Sequence, residues 1–259
     1  MAEMIYRNYL FGIGGKIIAT IYKGSEKISY YFADRIVIDS EGLVAASGLG
    51  KYRHKVIVAG DRRFIESETF GVKKQLAERS NLIGYIGRLS YEKGVTNFVK
   101  AIPLVIKQHS SVEFLIGGNG PLLNKLKSEV MQMGLDSKVK FTGWIPHTEL
   151  ADYLNELRLF ILPSSTEGLP NTVLEAMACG TPVLVTPVGA LPEIIKDKET
   201  GFIMNDNSPD SIASGIIEAL SHPQLEEVSR NAVTLVKNKF TYENAVKKYD
   251  ALLHSLDKR

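Results

Sequence analysis

Two carboxylates eight positions apart, Glu167 and Glu175, lie in the stretch Ser164-Ser165-Thr166-Glu167-Gly168-Leu169-Pro170-Asn171-Thr172-Val173-Leu174-Glu175-Ala176-Met177-Ala178-Cys179-Gly180. A carboxylate accepts hydrogen bonds from vicinal hydroxyls, so one of them can hold a sugar ring and the other a ribose. The apolar run Leu159-Phe160-Ile161-Leu162 reads as a strand that stops at Pro163. A polar, glycine-bearing loop with Glu167 follows, then a short helix capped by Asn171 or Thr172 and ended by Gly180, with Pro182 beyond. Glu175 falls about one turn into that helix on a ~3.6-residue period. The N–H groups of its first turn then point outward between the two carboxylates, in the segment Gly168, Leu169, Pro170, Asn171 and Thr172. A helix N-terminus flanked by hydroxyl acceptors suits a sugar joined to a diphosphate. The plainer alternative is a solvated loop glutamate plus another placed well near a positive helix end.

Three other loops carry residues of matching chemistry. In Gly87-Arg88-Leu89-Ser90-Tyr91-Glu92-Lys93-Gly94, Gly87 permits a sharp turn and Arg88 and Lys93 set two cations over a strand end. Such cations can neutralise a diphosphate and the charge that grows on it as a sugar departs; otherwise they are solvated loop residues. In Gly117-Gly118-Asn119-Gly120-Pro121, Gly118 and Gly120 allow backbone to approach a ligand closely and Pro121 opens a helix. Phe141-Thr142-Gly143-Trp144-Ile145-Pro146 holds the only tryptophan, read here as a half-buried structural aromatic in preference to a stacking platform.

Taken together, these segments resemble the retaining GT-B glycosyltransferases of the family-4 type. The likeness rests on Glu-Gly-Leu-Pro-Asn-x-x-x-Glu-Ala-Met-Ala-x-Gly-x-Pro-Val, on Gly-Arg-x-x-x-x-Lys-Gly, and on the Gly-x-Gly-Pro loop. The resemblance implies that Glu167 orients the donor sugar, Glu175 the ribose, and Arg88 and Lys93 the phosphates. It further implies that the backbone near Gly118, Gly120, Trp144 and Ile145 meets the nucleotide. The donor is then a nucleotide-sugar, used as a substrate with no cofactor and no metal, and the acceptor a saccharide or a lipid-linked sugar. Residues 27–41 resemble the last strand region of the family's first domain. Residues 55–64 resemble its interdomain segment, with Ala59 in place of an asparagine and Arg62-Arg63 after the aspartate. Most of that first Rossmann-like domain, with its acceptor pocket, has no counterpart here.

The elements needed to position these loops follow a regular β-α alternation from Asn81 onward: strands at 82–86, 112–116, 139–141, 159–162, 183–185 and 202–204, with helices between them. Short apolar strands separated by helices mean an α/β fold, a Rossmann-like parallel sheet with helices on both faces. Ligands on such sheets bind at the carboxyl ends of the strands, where all the loops above fall. Three zones are expected. Residues 1–75 are an incomplete first domain and linker, 76–239 the donor-binding domain, and 240–259 a helix returning toward the first part. Gly12-Ile13-Gly14-Gly15 sits in a helix-like apolar segment and is read as part of that helix.

Composition narrows the function classes. A chain of 259 residues with 44% hydrophobic and 23% charged residues is ordinary for a globular protein. A net charge of +2 gives no reason to expect nucleic acid as a partner. The single cysteine, Cys179, excludes an internal disulfide and sits among small residues, where it packs as an apolar side chain. The five histidines show no metal-ligand spacing. A cytoplasmic protein is expected, with peripheral contact at the inner face of the membrane through residues 5–22 as a second option. Ile5, Tyr9, Leu10, Phe11, Ile17, Ile18 and Ile21 should be apolar surface left open, so a partner chain or self-association through residues 1–58 is expected. Two functions stay open, a glycosyltransferase donor half and a donor-binding module without turnover. A dinucleotide-dependent oxidoreductase is disfavoured, because no Gly-x-Gly-x-x-Gly opens a βα unit.

Overall fold

Runs of β-branched and aliphatic residues four or five long become the central strands because both faces of the sheet are covered. A computed structural model describes residues 13–59 and 63–257. In chain order it comprises α1 (Ile13–Phe32), β1 (Ile36–Ile38), α2 (Gly42–Ala46), β2 (Val56–Val58), β3 (Leu82–Ile86), α3 (Val95–Gln108), β4 (Glu113–Gly117), α4 (Leu123–Gln132) and β5 (Val139–Gly143). There follow α5 (His147–Glu156), β6 (Leu159–Leu162), α6 (Asn171–Ala178), β7 (Val183–Val185), α7 (Leu191–Ile194), β8 (Phe202–Ile203), α8 (Pro209–Ser221), α9 (Leu225–Lys239) and α10 (Tyr242–Asp257).

β3 to β8 form one parallel sheet in the order β5-β4-β3-β6-β7-β8. Chain order runs outward in both directions from the β3–β6 pair, so the loops after β3 and β6 diverge there and leave a crevice at the carboxyl edge. All of β6 and all of β3 beyond Leu82 are buried, as expected for strands sandwiched between helices. α3 packs on α8 and α6 on α9, closing the layers. Cys179 is fully buried and burial pushes its thiol up to about 12, which makes it a packing residue.

β1 and β2 pair in parallel as a separate two-stranded sheet with its own small core of Val44, Leu49 and Val56. The linker joins the other core: Ile65 and Phe70 pack with the large sheet, and Ile65 N–H donates to Phe240 O at 2.9 Å. α10 begins there, with Tyr242 edge-on to Phe64 at 5.3 Å between ring centres. Ile13 to Gly15 lie within α1, and Gly12 lies outside the described residues. Of the apolar positions expected to be open, Ile17, Ile18 and Ile21 are exposed on α1, alongside Ile28, Tyr31 and Phe32. Ile5, Tyr9, Leu10 and Phe11 lie outside the described residues.

One buried cation ties the linker to the sheet domain. Arg79, only 5% exposed, donates to Lys74 O at 2.8 Å, Leu157 O at 3.0 Å, Cys179 O at 2.7 Å and Thr181 Oγ1 at 2.7 Å. Its guanidinium thus caps the chain just past the ends of α5 and α6, where carbonyls have no intrahelical partner. No helix among the described residues is long and apolar enough to cross a membrane.

Candidate functional site

The loops after β3 and β6 meet across the crevice. Gly94 has φ +69, and a side chain on it would reach within 1.9 Å of Pro163 O, so only glycine fits where the two loops touch. Ser165 then donates to Glu92 O from its N–H at 2.8 Å and from its hydroxyl at 3.1 Å. This junction sets Lys93 against Glu167, Nζ to Oε1 at 2.7 Å. The Ser164 hydroxyl donates to the same oxygen, also at 2.7 Å. Glu167 is 7% exposed and Lys93 partly so. Read from sequence as a cation reserved for phosphate, Lys93 is therefore already paired with the other proposed donor ligand. The Arg88 side chain, by contrast, is exposed and makes no hydrogen bond or ion pair with the described residues. Its backbone is held by the buried Tyr85 hydroxyl, which donates to Arg88 O at 2.7 Å. Burial first, then Glu167 and Glu92, raise the Tyr85 pKa, so this hydroxyl stays a donor.

The glycines of the loop after β4 lie where another loop's backbone comes close. Gly118, at φ +114, lies so that an added side chain would meet Gly87 O at 2.0 Å, and one on Gly120 would meet Leu89 O at 2.3 Å. The close approach is backbone to backbone: Gly87 N–H donates to Gly117 O at 3.0 Å and Leu89 N–H to Asn119 O at 2.9 Å. Gly118 N–H bonds Gly143 O at 2.6 Å, bringing in the loop after β5. On that loop Ile145 is half-buried against Gly117. Trp144 is 69% exposed, which overturns the half-buried reading: it follows Gly143, whose φ of +70 turns the chain outward at the edge strand.

α6 also begins differently from the sequence expectation. Its N-cap is Pro170 in extended backbone, and neither Asn171 nor Thr172 caps it. Asn171 is the first helical residue, and its Oδ1 accepts from Arg63 Nη1 at 2.9 Å instead of folding back onto its own helix. Leu169 is buried in the core, whereas Gly168, Pro170 and Thr172 are half-buried at the rim. Glu175 is buried one turn in, and its Oε1 lies 3.2 Å from His147 Nε2 on α5. His147, absent from any motif, is edge-on to Phe70 at 5.2 Å. Arg63, Phe64, Phe70, His147, Asn171 and Glu175 line one recess of about 300 Å³. A larger groove, of about 560 Å³, lies between the linker and the α9–α10 joint and includes none of the motif loops.

Burial raises the Glu175 pKa above the usual 4.5, and the bond from His147 acts the other way. A raised folded value means the ionised carboxylate is disfavoured in the fold. That penalty is absent below the unfolded value and grows as pH rises through the folded one. Glu175→Gln should accordingly stabilise the protein by about 0.5–2 kcal/mol at about pH 8, and by less at about pH 5. Thermal melts at the two pH values check this; an equal or larger gain at the acid end contradicts it.

A sheet of this order, with a buried carboxylate, paired and free cations and an open helix N-terminus at one crevice, can be compared with known proteins. The family model described as glycosyl transferases group 1 matches residues 66–236. The chain belongs to the group 1 glycosyl transferases. Among curated relatives it is 30% identical over 205 residues to an uncharacterized glycosyltransferase of Methanocaldococcus jannaschii, covering 79% of this chain and 51% of that protein. It is 32% identical over 139 residues to the phosphatidylinositol N-acetylglucosaminyltransferase gpi3 subunit of Schizosaccharomyces pombe, covering 53% of this chain and 30% of that one. The chain thus spans about half the length, or less, of these relatives. The crystal structure of Anabaena HepE in complex with UDP and glucose superposes with a TM-score of 0.79 at 18% identity, covering 91% of this chain and 67% of that one. The group 1 architecture here is the GT-B one, with a complete Rossmann-like sheet preceded by a two-stranded parallel unit. No group of three or more His, Cys, Asp or Glu placed to hold a metal ion occurs among the described residues.

Proposed function

We propose that this chain is the donor half of a retaining glycosyltransferase of the family-4 type, transferring a sugar from a nucleotide-sugar to a saccharide or lipid-linked acceptor. The observation that carries the reading is Glu167, buried and held by Lys93 and Ser164 at the sheet's switch point, beside the open N-terminus of α6. In this reading the donor sugar's hydroxyls bond to Glu167 and its ribose to Glu175. The diphosphate lies between Arg88, Lys93 and the first N–H groups of α6. As the bond from the anomeric carbon to the leaving phosphate breaks, the acceptor oxygen attacks from the same face. The growing phosphate charge is met by these side chains and helix N–H groups, without a metal.

The expected test result is that UDP, GDP or ADP shifts backbone resonances in residues 87–94, 117–121 and 164–175. Perturbation that spares all three loops would end the proposal. The exposed apolar residues of α1 favour a second chain, or a second copy, docking through residues 1–58. A donor-binding module without turnover is the second reading, supported by the subunit status that the yeast relative's name records. Both place the protein in the cytoplasm, with the inner membrane face as the meeting point if the acceptor is a lipid. Light scattering and a transfer assay with radiolabelled donor separate them: the donor-half reading expects transfer once the complementary chain is added, and the module reading expects none.

A further inference from the structure

The geometry points to Arg63 as a third cation of the diphosphate site, a positioning residue supplied by the linker and held between Asp39 and Asn171 until a donor arrives. This deepens the donor-site reading above and rests on it. Arg63 Nη1 donates to Asn171 Oδ1 at 2.9 Å, so the guanidinium lies against the first residue of α6, where the phosphates are expected. Its Nη2 is 3.6 Å from Asp39 Oδ2, an ion pair longer than a good hydrogen bond. Its Nε is buried and has no hydrogen-bond partner among the described residues. Nη2 is thus weakly held and Nε has no bond to give up, so the guanidinium can turn to present its planar fork to a phosphate bidentately.

The charge balance supports the assignment. Of the two motif cations, Lys93 is paired with Glu167, so Arg88 alone faces a diphosphate with its charge unspent. Arg63 restores a second. Asp39, at the end of β1, belongs to the same cluster: a side chain on Gly168 would lie 2.5 Å from its Oδ2. A phosphate oxygen entering beside Asn171 competes with Asp39 for the guanidinium. Arg63 also lines the recess that holds Glu175, so one side chain touches both the phosphate end and the ribose end of the site.

The test is calorimetry with UDP, GDP and ADP, followed by the tightest of these and its nucleoside on each variant. Arg63→Gln should weaken diphosphate binding by about 10- to 100-fold, while nucleoside affinity stays within about twofold. Arg63→Lys, which keeps charge but loses the fork, should fall between wild type and Arg63→Gln. Asp39→Asn should tighten diphosphate binding by about threefold, because it removes both a negative charge and the competitor for Arg63. A purely structural strut makes the opposite prediction, since cutting either end of it would loosen the site. Equal losses for nucleoside and diphosphate in Arg63→Gln, or weaker diphosphate binding in Asp39→Asn, overturn the assignment with the donor site intact. Failure of the wild-type protein to bind any of the three diphosphates overturns the donor-site reading itself.

Discussion

Arg79→Met is expected to destabilise the fold by about 3–5 kcal/mol, the range for breaking a buried charge network. Methionine matches the length of the arginine stem but donates nothing. The carbonyls of Lys74, Leu157 and Cys179 and the Thr181 hydroxyl would each lose the partner they have now. Burial lowers the Arg79 pKa from its usual value, so the ring of carbonyls offsets a real desolvation cost. Urea unfolding should show a lower midpoint at unchanged slope, with melting about 6–20 °C lower. A loss under about 1 kcal/mol would mean that water or relaxation replaces the network and that Arg79 does not tie the linker to the sheet domain. Because Cys179 follows α6 directly, a partial loss should also loosen the helix that carries Glu175.

Lys93 is the second position where a single change should be severe. Lys93→Ala is expected to weaken nucleoside diphosphate binding by about 1.5–3 kcal/mol, or about 10- to 100-fold. Lys93→Glu should cost at least about another tenfold, because it sets a second carboxylate where Nζ now lies 2.7 Å from Glu167 and repels the incoming phosphates. The plain nucleoside, which has no phosphate to contact, should lose much less in both variants. Calorimetry with the two ligands decides it, and equal losses would remove Lys93 from the phosphate role. The ion pair adds a condition invisible in the motif: a donor must share or displace Glu167 before Lys93 can serve it.

How much of this was legible in the sequence differs by the kind of contact. β6 and β7 fell where they were expected, residues 159–162 and 183–185, because strands buried on both faces leave uninterrupted apolar runs. The start of α8 is a local signal of the same kind, with Ser208 as its N-cap and Pro209 as its first helical residue. The pairing of His147 with Glu175 was not legible. Those residues are 28 positions apart and meet only because α5 packs on α6. Arg63 and Asp39 were hidden for a similar reason, coming from the linker and from the two-stranded unit. Trp144 was misjudged because composition favours partial burial for a lone tryptophan, whereas an edge-strand turn leaves it in solvent. The glycines at 118 and 120 were expected to let backbone approach a ligand, and the neighbour the fold sets against them, another loop, had no sign in the sequence.

That loop-to-loop contact bears on how the site can respond to a ligand. With Leu89 bonded to Asn119, Gly118 to Gly143 and Ser165 to Glu92, four strand-end segments are stitched by main chain before any nucleotide is present. Little disorder is left for a ligand to remove, so the entropic toll of fitting should fall on side chains such as Arg88 and not on the peptide backbone. Association should then show a small unfavourable ordering term and resemble a key entering a cut lock. Shielding a bound sugar from water would require swinging a separate body across the crevice, since the stitched rim has no slack with which to fold over it.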